Sequence, residues 1–102
     1  MAWLRLLGAG VFEIGFTTCM KLDGVWPTIL FFVFAAVSFW LLTRAMRTIP
    51  LGTAYAIWTG IGAAGTAVVG MMAFKEPATR ARIILIFALV AAVVGLKFVS
   101  VD

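Results

Sequence analysis

Four acids occur in this 102-residue chain, and only Glu13 interrupts a long apolar stretch. A carboxylate at bilayer depth costs on the order of 2.5–3.5 kcal/mol on insertion scales, so it is expected to hold a proton or a cation. In a helix, Ala9, Gly10, Phe16 and Thr17 lie three or four positions from Glu13 and share its face. Small residues on one flank leave room, and a ring and a hydroxyl stand on the other. Such a face suits a small cation, although Gly10 is equally suited to close helix packing.

Two further groups carry chemistry. Tyr55, Trp58, Thr59 and Gly62 fall on one face of a later helix. Aromatic faces attract cations by roughly 0.5–2 kcal/mol each. Tyr55 is near the helix start, where membrane proteins also place interfacial aromatics, and Trp3 and Trp26 fit that belt better still. Ser38 is the one mid-span polar group of its segment. Its hydroxyl is expected either to orient Glu13 or a ligand, or to bond its own helix backbone.

Other chemistries lack the residues they need. With no His and a single Cys19, neither a metal site nor a histidine-dependent hydrolytic set can be assembled, and no cofactor is expected. One cysteine forms no intrachain disulfide. The net charge of +4 does not point to nucleic acid, because the basic residues stand singly at the ends of apolar runs, as membrane-flanking residues do.

The elements that must position these groups follow from the charge spacing. At 65% hydrophobic and 12% charged, with mean hydropathy +1.18, the chain is far more apolar than a soluble domain. A span needs about 20 apolar residues. Four are expected, at 2–20, 27–46, 53–74 and 82–100, in one all-α transmembrane domain covering 1–102. The first is expected to be a retained helix, since Glu13 breaks the apolar run of a leader. Pro27 suits the first turn of the second span, and Thr53 is the expected N-cap of the third. Short loops make neighbouring helices antiparallel.

Arg5, Arg44, Arg47 and Lys97 then fall on one side, and Lys21, Lys75, Arg80 and Arg82 on the other. Charge bias sets topology, and a balanced chain is expected to insert both ways round. Dual insertion permits an antiparallel homodimer with two copies of Glu13 near the midplane. Ala88 and Ala92, with Ala91 and Gly95, form small-xxx-small pairs expected to associate. Lys97, at the end of that helix, is expected to reach the interface. Gly60, Gly62 and Gly65 cluster in the third span and are expected either to let it bend or to pack it closely.

Length, four spans, the acid at position 13 and the run Gly52-Thr-Ala-Tyr-Ala-Ile-Trp-Thr-Gly-Ile-Gly-Ala-Ala-Gly65 resemble the small multidrug resistance family of bacterial inner-membrane exporters over essentially the whole chain. Gly52-Thr53, Gly62-Ala63-Ala64-Gly65 and Phe74-Lys75-Glu76-Pro77 look most like its guanidinium-exporter branch. The resemblance implies a dual-topology dimer that exchanges protons for a small organic cation at one shared site. It implies that Glu13 is the ligand of both proton and substrate, that Tyr55 and Trp58 line the site, that Ser38 bonds within it and that Gly10 gives space beside the acid. Phe16 stands where guanidinium exporters typically carry Trp, and Thr17 and Thr18 stand where apolar residues are usual. The loss of an indole N–H at Phe16 favours, as an alternative, export of quaternary ammonium compounds by the same fold. A non-transporting membrane subunit that pairs Glu13 with a basic partner chain is the second alternative.

Overall fold

A computed structural model describes residues 1–99 as four helices joined by short connections. These are α1 (Ala2–Lys21), α2 (Val25–Ala45), α3 (Leu51–Ala73) and α4 (Arg80–Val99). No strand occurs among the described residues. The end expected for the fourth span, Ser100, lies outside them.

The helix boundaries have local causes. Gly24 has φ 122°, a conformation that L side chains rarely adopt, and it lets the chain reverse within three residues between α1 and α2. α2 starts at Val25, which puts Pro27 in its first turn, where backbone N–H groups have no helical acceptor. α3 begins before Thr53, which therefore is not its cap. Pro50 leads into the helix with φ −54° and ψ 143°, and Ala54 N–H already bonds Pro50 O at 2.9 Å. α4 begins at Arg80 because Thr79 Oγ1 accepts the Arg82 backbone N–H at 3.2 Å, the bond an N-cap makes.

Three helices, α2, α3 and α4, are long and apolar enough to cross a membrane. α1 has the length but carries Arg5, Glu13, Gly8, Gly10, Gly15, Thr17 and Thr18, which dilute its apolar content. Much of the apolar surface points outward: Phe32, Trp40, Leu85, Phe87 and Phe98 are all exposed. In water such a surface would drive association, whereas in a bilayer the lipid tails solvate it.

The packing is uneven along the bundle. Leu6, Ala9, Leu42, Ala45, Ile49, Ala54, Ile57 and Trp58 form the buried core. They gather the first half of α1, the end of α2, the turn after it and the first half of α3. Ile49 is 1% exposed although it lies in the turn, so it anchors the α2–α3 reversal. Toward the other end of α1 and α3 the bundle opens. The backbone of α4 lies beside α3 alone, and none of its residues is buried. Lys97 reaches back over the Trp3 ring, with Nζ 5.0 Å from its centroid.

Candidate functional site

α1 and α3 run in the same direction and fit each other by exchanging bulk for glycine. A Cβ at Gly10 would overlap Ile61, one at Gly65 would overlap Ile14, and one at Gly62 would overlap the Glu13 carboxyl. Glycine on one helix thus receives a side chain from the other, and the backbones come close. Gly60 receives Val93 from α4 in the same way. Gly60, Gly62 and Gly65 therefore sit in an unbroken helix, each filled by a neighbour, and Gly10 lies against Ile61 rather than in open space.

The residue whose carboxyl Gly62 receives lines an open cavity of about 660 Å³ between α1 and α3, bordered at its far end by Glu76 and Arg82. Glu13 Oε1 is buried, and among the described residues no group offers it a hydrogen bond. Buried polar atoms in native proteins are almost always paired, so this unpaired carboxylate oxygen stands out among the described residues. Thr17, Thr18, Thr59 and Thr66 all line the cavity. Thr17 Oγ1 and Thr66 Oγ1 are 2.6 Å apart and join α1 to α3 one turn beyond Glu13. Thr17 also lies 2.9 Å from Glu13 O, and Thr18 donates to Ile14 O at 2.8 Å. At the far end stand Lys21, Glu76 and Arg82.

A second group of expected residues is held apart from this cavity. Ser38 is fully buried and does not bond its own helix; it donates to Ala9 O of α1 at 2.6 Å. Trp58 Nε1 donates to Ser38 Oγ at 3.0 Å. One hydroxyl thus ties three helices. Around it runs a chain of rings: Tyr55 on Trp58 at 5.6 Å, Trp58 on Phe39 at 5.5 Å, Phe39 on Phe16 at 6.0 Å, and Phe16 edge-on to Phe31 at 5.7 Å. Tyr55 remains exposed. Of the residues singled out in the sequence, Glu13, Thr17, Thr59 and Gly62 come together on the cavity, and Ser38, Trp58, Phe16 and Tyr55 form the neighbouring cluster.

Thr66 was not among the expected residues. It continues the face of Thr59 and Gly62 by one more turn, so carrying that stripe onward would have found it. Glu76 and Arg82 lie where the chain enters α4, and no periodicity signals their return to the cavity. Ala88, Ala91, Ala92 and Gly95 are all exposed, and a Cβ at Gly95 would meet nothing within 4 Å.

The family model for the Small Multidrug Resistance protein matches residues 1–90. The chain belongs to this family. Members of the small multidrug resistance family are membrane transporters, so the protein is a transporter and not an enzyme. A relative from Yersinia pseudotuberculosis named "Guanidinium exporter" is 41% identical over 98% of this chain and 100% of its own. One of the same name from Salmonella typhimurium is 41% identical over 95% of this chain and 96% of its own. A Bacillus licheniformis relative named "Probable guanidinium efflux system subunit GdnD" is 45% identical over 98% of this chain and 100% of its own. Family membership and three apolar helices fit a multi-pass protein of the bacterial inner membrane.

Proposed function

We propose that this small multidrug resistance protein is a proton-coupled antiporter that exports guanidinium or small guanidinyl cations. Protons and substrate compete for Glu13. The observation that carries the reading is the buried, unpaired Oε1 of Glu13, a residue that lines a mostly apolar cavity together with Thr17, Thr59 and Thr66. A planar guanidinium donates paired hydrogen bonds to a carboxylate, as an Arg head group does. Protonation of Glu13 removes the charge that holds the cation and releases it. If only neutralised states cross the membrane, the proton gradient drives export.

In this reading α1 is the fourth span, and two chains of opposite orientation form the working unit. The single chain leaves its cavity open and its Ala88, Ala91, Ala92 and Gly95 face uncovered, and the four-to-four balance of basic residues gives no bias against dual insertion. An antiparallel homodimer through α4 covers that face and brings a second Glu13 to the site. Phe16, Tyr55 and Trp58 stack in the neighbouring aromatic cluster, beside the cavity of the single chain and not in its wall. Movement of α3 across the Gly62 and Gly65 contacts, and of α4 across Gly60, alternates access. The name of the Bacillus relative, a subunit, makes a paired partner chain the alternative assembly.

A second reading has a specific observation behind it. The cavity is far larger than guanidinium requires, and Ala63, Ala67, Val69 and Phe74 give it apolar wall, which also suits bulkier quaternary ammonium cations. Uptake of guanidinium into proteoliposomes of inside-acid pH, with and without tetraalkylammonium competitors, decides between them. Saturable uptake that resists competition supports guanidinium as substrate. Transport of the competitor in place of guanidinium moves the substrate to the second reading, and absence of all uptake by folded, dimeric protein defeats self-sufficient transport.

A further inference from the structure

Glu76 belongs to a connecting segment, yet it is folded onto the cavity wall. After α3 ends, Lys75 adopts φ 56° and turns the chain back, so that both Phe74 N–H and Glu76 N–H donate to Gly70 O at 3.1 Å. Gly70 has no side chain, and the space a Cβ would take holds the Glu76 carboxyl. The acid is thereby pressed against the last turns of α3, on the same cavity as Glu13. Its partner is Arg82, whose Nη2 donates to Oε1 at 2.7 Å while Nη1 donates to Pro77 O at 3.2 Å.

We propose that Glu76 is an outer cation-binding station for guanidinium groups, filled at rest by the Arg82 head group. This rests on the exporter reading for its substrate class but concerns a different carboxylate. The Arg82 head group is itself a guanidinium, so the structure shows this carboxylate holding the relevant cation class. The contact is single-point, because the second Arg82 nitrogen goes to Pro77 O and not to the carboxylate. A free guanidinium can engage both oxygens, which is the stronger geometry. The ion pair is also partly exposed, at 33% for Arg82 and 41% for Glu76, and pairs of that kind are weak and readily screened. An arriving guanidinium exchanges with Arg82, which keeps its bond to Pro77 O. Guanidinium carries only donors, so its onward route needs acceptors. Thr66 and Thr17 on the cavity wall supply hydroxyl lone pairs between Glu76 and Glu13.

Two measurements on the purified full-length chain test the station. The first is guanidinium binding, with guanidinium chloride as probe and sodium chloride as matched control, in Glu13→Gln and in the Glu13→Gln/Glu76→Gln double variant. The expected result is weak residual binding in the single variant that disappears in the double one. No residual binding, or equal binding in both, overturns the station. This arm does not depend on transport, so an inactive wild type that still shows Glu76-dependent binding rejects the exporter reading and keeps the station. The second is initial-rate guanidinium uptake. Glu76→Gln is expected to raise KM by about threefold to tenfold with little change in maximal rate, and Arg82→Gln to lower KM by vacating the carboxylate. A purely structural ion pair would make both variants fail alike, and that pattern overturns the proposal.

Discussion

Trp58 donates its indole N–H to Ser38 Oγ at 3.0 Å, and through Ser38 it reaches the carbonyl of Ala9. That carbonyl also accepts the helical N–H of Glu13, four residues on. The acid of α1, the hydroxyl of α2 and the indole of α3 are thus coupled through one turn of backbone. Ser38 and Trp58 fix the position of the helix turn that presents the carboxylate.

Ser38→Ala leaves the buried Trp58 Nε1 without its acceptor. We expect a loss of roughly 0.5–2 kcal/mol, the span found for hydrogen bonds between membrane helices. Thermal unfolding in detergent checks it. Trp58→Phe removes the donor instead and should cost no more, because the Ser38 bond to Ala9 O survives. A Ser38→Ala protein as stable as wild type would show that the bond does not hold α1.

Gly62→Ala places a methyl group where the Glu13 carboxyl lies. The side chain must move, so guanidinium uptake should fall at least about tenfold while helicity in detergent is retained, as expected when a ligating group is misplaced by about 1 Å. Gly52→Ala, in the first turn of α3 where a methyl group meets nothing within 4 Å, is the matched control for adding the same group to a helix.

The α4 face gives a separate test. None of its residues is buried within the chain, so bulk added there spares the monomer. Ala92→Leu combined with Gly95→Leu is expected to weaken the dimer seen by cross-linking in liposomes and to reduce uptake in proportion. An undiminished dimer would place the interface elsewhere.

The pH dependence follows from competition. Guanidinium stays charged across the usable range, like the Arg head group, so the titrating partner is the protein. A proton on Glu13 removes the binding charge. Affinity is therefore present at high pH and lost as pH falls, with the dissociation constant rising by up to about tenfold per pH unit for each proton displaced. Binding titrations from pH 5 to 9 check this. Glu13→Gln should bind without that slope or not bind at all.

The helices were legible in the sequence because charges punctuate the apolar runs. Their starts shifted where local bonds decided, as at Thr79, whose hydroxyl caps α4 two residues ahead of the expected start. Glu13 announced itself by its cost in an apolar segment. Its seat at Gly62 was not legible, because a glycine-rich helix reads alike whether it bends, packs or yields space to an acid. Only the register of α1 on α3 decides. Ser38 illustrates the same limit: its polarity was visible, but its partners lie 29 residues upstream and 20 downstream. Glu76 and Arg82 were hidden for another reason. A charged connection has no period, and a return such as the Glu76 bond to Gly70 O comes from the backbone conformation at Lys75.

The most direct test of the central claim is proton release from the purified protein on addition of guanidinium, in weakly buffered detergent solution at mildly acidic pH. If Glu13 serves proton and cation in turn, wild-type protein releases protons in step with binding, and Glu13→Gln releases none. Guanidinium binding without proton release in the wild type, or equal release by the Glu13→Gln variant, would contradict the account.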